Sequence, residues 1–269
     1  MRATVELPKM IERSSDRLRV SDLDLSESFR ARPLPAQALR CLGYMHDVEY
    51  HTVCYLRDLL LTPAHADPAV TAFLSMWVYQ EYWHGDALAA VLAAHGAEAG
   101  HSRVARVRNT LGLRDRLRPI LMSLGGWAGG RDFMAVHMAW GAINEWMTQA
   151  GYARLSKLAG HTVLSELLGR IMRQEGRHID FYATQAAHRL GESARARRLT
   201  RSALRRFWRP VGSGIMPDEE VTFIGSYLMS GPDGLAVAKR IDRHVDRLPG
   251  LSGLGLVERA AVAAAATAA

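Results

Sequence analysis

Cysteine and lysine are scarce in this chain of 269 residues, and no apolar run reaches the length of a membrane span. Cys41 and Cys54 are the two cysteines, thirteen positions apart. On one helix that separation is about 20 Å, at about 1.5 Å per residue. A disulfide needs Cα atoms about 4.4–6.8 Å apart, so the two cannot bridge each other within that helix. A reducing compartment fits. No Cys-x-x-Cys spacing exists, which removes the basis for a thiolate metal site. The first residues include Glu6, Glu12 and Asp16 with no apolar segment, unlike a secretory signal. A soluble, cytoplasmic protein without a membrane span is expected.

Lysine occurs as Lys9, Lys157 and Lys239; the other cations are arginines. The formal net charge is +7 and the sequence pI about 9.8. Such a balance favours acidic partners, although a compositional bias towards arginine explains it equally well. At 48% hydrophobic and 23% charged, the chain is an ordinary globular one, long enough for a single large core.

No stretch alternates as a strand would, and the apolar positions recur at helical spacing. Leu42, Met45, Glu49, Thr52, Val53 and Leu56 form one stripe within 35–61. Thr62-Pro63 ends that helix, and Asp67-Pro68 supplies a cap and a first-turn proline for the next. The second helix runs to about residue 94, with Leu74, Val78, Glu81, His84 and Leu88 on its inner face. Glycines and Pro119 break up 97–128 into a long connection. A third helix is expected over 132–158 and a fourth over 162–190, ended by Gly191. Shorter helices follow at 193–208, 218–229 and 234–248, with a fraying alanine-rich tail at 260–269. The expected organisation is an N-terminal extended arm at 1–34, an all-α four-helix bundle at 35–192, and a helical extension of the same domain at 193–269.

The chemistry concentrates in a doubled motif. Glu81 and His84 stand three apart, as do Glu175 and His178. Residues i and i+3 share a helix face, so each pair can address one metal. Glu49 precedes Glu81 by 32 positions and Glu145 precedes Glu175 by 30, in each case one helix upstream. A lone glutamate on an apolar stripe is normally a residue at the solvent edge. Four of them at mid-stripe, two with histidine three positions on, point to a metal site. Four carboxylates and two imidazoles without sulfur suit iron or manganese. Zinc normally takes four ligands in a tetrahedron. Two divalent ions would balance four carboxylates, which is how so many acids can sit in one core. His46 and His51 lie off the face of Glu49, and the remaining histidines fall at turns, helix ends or positions not needed for metal.

This order of ligands resembles the ferritin-like di-iron carboxylate superfamily. Three flanking features are similar to the soluble acyl-carrier-protein desaturases within it. These are His84-Gly85-Asp86, Arg177-His178, and Thr148 three residues after Glu145. The likeness covers roughly 40–190. Two positions depart from that family: Gln174 replaces an acid before the second glutamate, and Tyr82-Trp83 replaces Asn-Arg inside the first pair. The resemblance implies two iron ions, with manganese as the other choice, held by Glu49, Glu81, His84, Glu145, Glu175 and His178. It implies that Thr148 lies beside the oxygen-binding face. It also implies an acyl carrier protein or acyl thioester as substrate partner, an electron donor such as a ferredoxin, and a homodimer.

The leading expectation is therefore a di-iron oxidoreductase that activates dioxygen against an acyl chain. Gly141 and Ala142, one turn before Glu145, are small enough to flank a substrate channel; close helix packing explains them equally well. The alternatives are a ferritin-like protein that oxidises iron or handles peroxide without an organic substrate, and a paralogue without catalysis. An apolar tunnel at the metals favours the first, a solvent-open site the second, and a missing ligand the third. The strip 193–209 carries seven arginines and no acid. Arg198, Arg201 and Arg205 within it are expected either to dock an acidic carrier or simply to face solvent. No nucleic-acid recognition motif accompanies them.

Overall fold

A computed structural model describes residues 17–110, 120 and 123–268. The described residues are helical or connecting, with one isolated bridge between Ser213 and Met216 and no strand. The all-α expectation holds. The helices labelled here are α1 (Leu25–Ala31), α2 (Ala36–Leu60), α3 (Pro68–Ala94), α4 (Gly100–Thr110), α5 (Phe133–Ala159), α6 (Thr162–Glu192), α7 (Ala194–Phe207), α8 (Asp218–Met229), α9 (Gly231–Asp246) and α10 (Leu256–Ala268).

Local chemistry sets the ends of the long helices. Thr62, before Pro63, adopts an extended conformation and stops α2. Asp67 accepts hydrogen bonds from the backbone N–H of Ala69 and Val70, and Pro68 opens α3. Gly160 takes φ 59° and ψ 24°, a left-handed C-cap that suits glycine. The imidazole of His161 then accepts from the Leu164 N–H and caps α6. Gly191 does not end α6, which continues to Glu192; Ser193 caps α7 by accepting from the Ala196 N–H.

Helix α2 pairs with α3 and α5 with α6, giving two hairpins joined by the long connection through α4. Contacts of α3 with α6 and of α2 with α5 close the four helices around one core. Leu42, Leu74, Leu88, Met138, Ile143 and Ile171 are fully buried there, and Phe73 stacks on Phe181 at 3.9 Å. At about 25 cal/mol per Å² of apolar surface, such burial is the main force holding the hairpins together.

Two expectations need correction. The N-terminal segment is not wholly extended. Within its described part α1 forms and packs on α3, Leu25 and Phe29 are buried, and Asp22 makes a two-pronged ion pair with Arg170 at 2.8 Å. Residues 1–16 lie outside the described residues, as does much of the long connection. The alanine-rich tail is helical as far as residue 268. It forms α10, whose Val257 and Ala261 are buried and which packs on α8 and α9. Asp242 on α9 fixes its start by accepting from the N–H groups of Val257 and Glu258.

Candidate metal centre

The core of the four long helices holds Glu49 from α2, Glu81 and His84 from α3, Glu145 from α5, and Glu175 and His178 from α6, all buried. They form two overlapping groups that could hold a metal ion: Glu49, Glu81, His84 and Glu175, and Glu81, Glu145, Glu175 and His178. Within each group one ligand atom per residue lies within 4.8 Å of the others. Glu81 and Glu175 belong to both groups.

The distances fit paired ions. His84 Nδ1 lies 3.3 Å from Glu175, 3.6 Å from Glu81 and 4.0 Å from Glu49. His178 Nδ1 lies 2.8 Å from Glu175, 3.1 Å from Glu81 and 3.8 Å from Glu145. Neighbouring ligand atoms of an octahedral ion with bonds near 2.1 Å stand about 3 Å apart. His84 Nδ1 and Glu175 Oε1 are buried without the alignment of a hydrogen bond. Unsatisfied atoms aimed into a shared space are what an ion would satisfy.

Around these ligands sits a layer of partners, part of which sequence reasoning missed. Gln174 Oε1 is 2.8 Å from His84 Nε2, and Gln80 Oε1 is 2.8 Å from His178 Nε2. Each glutamine directly precedes the glutamate of its own motif and reaches the histidine of the other. The amide oxygens accept Nε2–H, which leaves Nδ1 of both rings for metal. The signal was present as a repeated Gln-Glu-x-x-His at 80–84 and 174–178. Only the crossing between α3 and α6 was invisible. Trp77 Nε1–H donates to Glu145 Oε1 at 2.9 Å, and the Tyr152 hydroxyl donates to Glu49 Oε1.

Proton placement follows from burial and neighbours. Burial raises Glu49 well above the usual carboxylate range, and the charge of Glu81 adds to the effect. Burial, then the charges of Glu175 and Glu81, does the same to Glu145. For Glu81, burial opposes ionisation but is outweighed by Glu49 and the two histidines; for Glu175, burial and the charge of Glu81 oppose it but are outweighed by the two histidines, and both are lowered. Burial disfavours charged imidazoles too, yet Glu175 and Glu81 outweigh it, raising His178 and taking His84 up to about 10. Without metal, burial and these neighbours thus favour the neutral form of Glu49 and Glu145 and the charged form of both imidazoles.

Divalent ions would compete with those protons. Metal uptake is expected to release protons, because the shifts of Glu49, Glu145, His84 and His178 all favour their protonated forms. Affinity should fall as the pH drops, because protonation fills the same lone pairs. A titration of metal-free protein in weakly buffered solution, followed with a pH electrode, measures this; uptake without proton release contradicts it.

A cavity of about 360 Å³ lies beside the centre, between α2, α5, α8 and α10. Met45, Met147, Ile224, Leu228 and Ala261 give it apolar walls, and Glu49, Thr148 and Tyr152 also line it. Gly141 and Ala142 do not. The Tyr182 ring lies so close to Gly141 that an added Cβ would stand 2.4 Å from it, so Gly141 serves helix packing. The space beside the metal ligands instead opens towards α8 and α10, elements outside the four long helices.

The basic strip divides. Arg201 donates to the carbonyl oxygens of Gly250 and Ser252, and Arg197 to those of Leu190 and Gly191. Arg201 is therefore a clamp on the 250–252 turn, while Arg198 and Arg205 are exposed. Among the other histidines, His46 bonds Asp47 and receives the Gly100 N–H, and His95 receives the Leu34 N–H. No helix among the described residues is long and apolar enough to cross a membrane. Compared with models of protein families, with curated proteins and with solved structures, the chain matches none.

Proposed function

We propose that this protein is a di-metal oxidoreductase that uses dioxygen to oxidise an apolar organic substrate lodged in the cavity beside Glu49. The observation that carries this reading is the shared wall: Glu49 belongs to a metal-binding group and also lines an apolar cavity. Glu49 and His84 would serve one ion, Glu145 and His178 the other, and Glu81 and Glu175 both. Iron is the first choice and manganese the second on the donor set. When bound and reduced, such a pair supplies the electrons for dioxygen chemistry that no side chain can provide.

The chain contributes position and exclusion. Gln80 and Gln174 hold the imidazoles in the tautomer that leaves Nδ1 open. Tyr152 fixes Glu49 at the cavity wall. The apolar lining excludes water from the reacting centre and receives a hydrocarbon segment. An acyl chain is the substrate class that best fits the doubled motif and this lining together. A protein that oxidises iron or peroxide alone has no need of an apolar space beside its ligands.

The test is a product assay with reduced, iron-loaded protein, dioxygen and acyl thioesters of different length. Loss of hydrogen from, or addition of oxygen to, the chain is expected; dioxygen consumption with every substrate unchanged would remove this reading. Thr148→Val sharpens it. The variant retains shape and metal but loses a hydroxyl at the cavity. Product formed per dioxygen consumed is expected to fall several-fold with metal content unchanged. An unaltered ratio would make Thr148 a wall residue only.

A further inference from the structure

The long connection contains a helical stretch at 123–129 that is turned the wrong way round for a soluble surface. Its protein-facing positions are Gly126 and Gly129. A Cβ on Gly126 would stand 2.8 Å from Thr62 Cβ, and one on Gly129 would stand 3.0 Å from Phe133 Cβ. The glycines allow close backbone approach, and the Ser123 hydroxyl donates to the Leu61 carbonyl at 3.1 Å. The large apolar residues consequently point away from the protein. Leu124 is 64% exposed and Trp127 63%. Ile120, spaced four before Leu124, is exposed as well, and so are Leu60 and Leu61 at the adjoining end of α2.

Cations border this patch. Arg131 follows it and is exposed. Arg195 on α7, with its side chain 65% exposed, reaches the Ala128 carbonyl and Asp132 at 3.5 Å. Arg198 is exposed three residues further along the same helix, next to Leu199, whose side chain touches the Gly129 position. The docked stretch and the start of the basic strip thus form one surface, with an apolar centre and an arginine border.

We propose that this surface docks the protein on an anionic lipid bilayer. Trp127, Leu124 and Ile120 enter the boundary between headgroups and acyl chains, and Arg131, Arg195 and Arg198 meet the lipid phosphates. An apolar centre with tryptophan, bordered by arginine, is the pattern of surfaces that lie at a membrane interface. Charge complementarity selects this occupant: the chain carries +7 overall, and anionic headgroups attract such borders. A second copy of the chain would bring the same arginines face to face across a two-fold axis. An acidic carrier protein could use the arginines but would leave the tryptophan and leucine without a role.

The test is flotation of the full-length protein with vesicles of phosphatidylcholine alone or mixed equally with phosphatidylglycerol, at low and high salt. Binding to the mixed vesicles is expected, weakening with salt, and at least tenfold stronger than to phosphatidylcholine. Trp127→Asp combined with Leu124→Asp should reduce it at least tenfold, whereas Val262→Asp, an exposed apolar site on α10, should not. Helix content by circular dichroism reports that the variants are folded. Lack of binding to mixed vesicles overturns the proposal, as does binding indifferent to the double variant. Parent protein that ignores vesicles but forms a dimer broken by the double variant assigns the face to a second copy. Carrier binding without vesicle binding assigns the border to the carrier. Either result overturns the bilayer.

Discussion

Glu81→Gln or Glu175→Gln should reduce the metal content from the two ions per chain proposed above to one or fewer. These are the two carboxylates common to both metal-binding groups. Each faces both imidazoles, at 3.6 Å and 3.1 Å from His84 and His178 for Glu81 and at 3.3 Å and 2.8 Å for Glu175. The amide keeps the size of the side chain and removes its charge, so the core has little reason to collapse. Two divalent ions would then face three carboxylates in a buried site. Leaving one buried charge without its partner costs about 3–5 kcal/mol, or roughly a hundredfold to several thousandfold in affinity at about 1.4 kcal/mol per factor of ten. Glu145→Gln removes a carboxylate from one group only and should spare the ion held by Glu49 and His84. Metal analysis after dialysis distinguishes the variants. Two ions retained in Glu81→Gln and Glu175→Gln alike would show that neither residue bridges.

Ile224→Trp should leave both ions in place and lower turnover of an apolar substrate by about a hundredfold, the scale of loss that follows when a reacting bond is displaced by about 1 Å. Ile224 lies on α8, remote in sequence from every ligand, and contributes to the cavity wall opposite the four long helices. An indole there fills space that the substrate needs, from a helix that supplies none of the candidate ligands. Shorter substrates should suffer less than longer ones. Metal content falling together with activity would indicate a disturbed core. Full activity with full metal would place the substrate elsewhere.

The two outcomes depend on different kinds of information in the chain. Helix ends were legible because they are decided within a few residues: Pro63 clashes with a helical Thr62, Asp67 caps the next helix, and only a residue tolerant of positive φ suits Gly160. The cluster of candidate ligands was legible for a related reason. An i, i+3 pair shares a face in any helix, and a buried glutamate in mid-stripe needs a partner wherever it sits. Even the supporting glutamines were written in the repeated Gln-Glu-x-x-His, although a single helix does not show that Gln80 serves His178 and Gln174 serves His84.

What opposes each face was decided only in three dimensions. Gly141 reads equally as a channel wall or a packing notch, and the Tyr182 ring from α6 makes it the notch. An alanine-rich tail is a weak helix alone. Docked on α8 and α9 it is α10, and it closes a cavity more than a hundred positions from Glu49 in sequence. Arg198 and Arg201 look alike in the basic strip, yet the carbonyls of Gly250 and Ser252 engage one and leave the other exposed. Likewise, that Trp127 faces outward follows from Gly126 and Gly129 seating their helix against Thr62 and Phe133. Spacing within one helix sets which side chains travel together; which neighbour they meet depends on contacts between distant segments, and no local pattern encodes those.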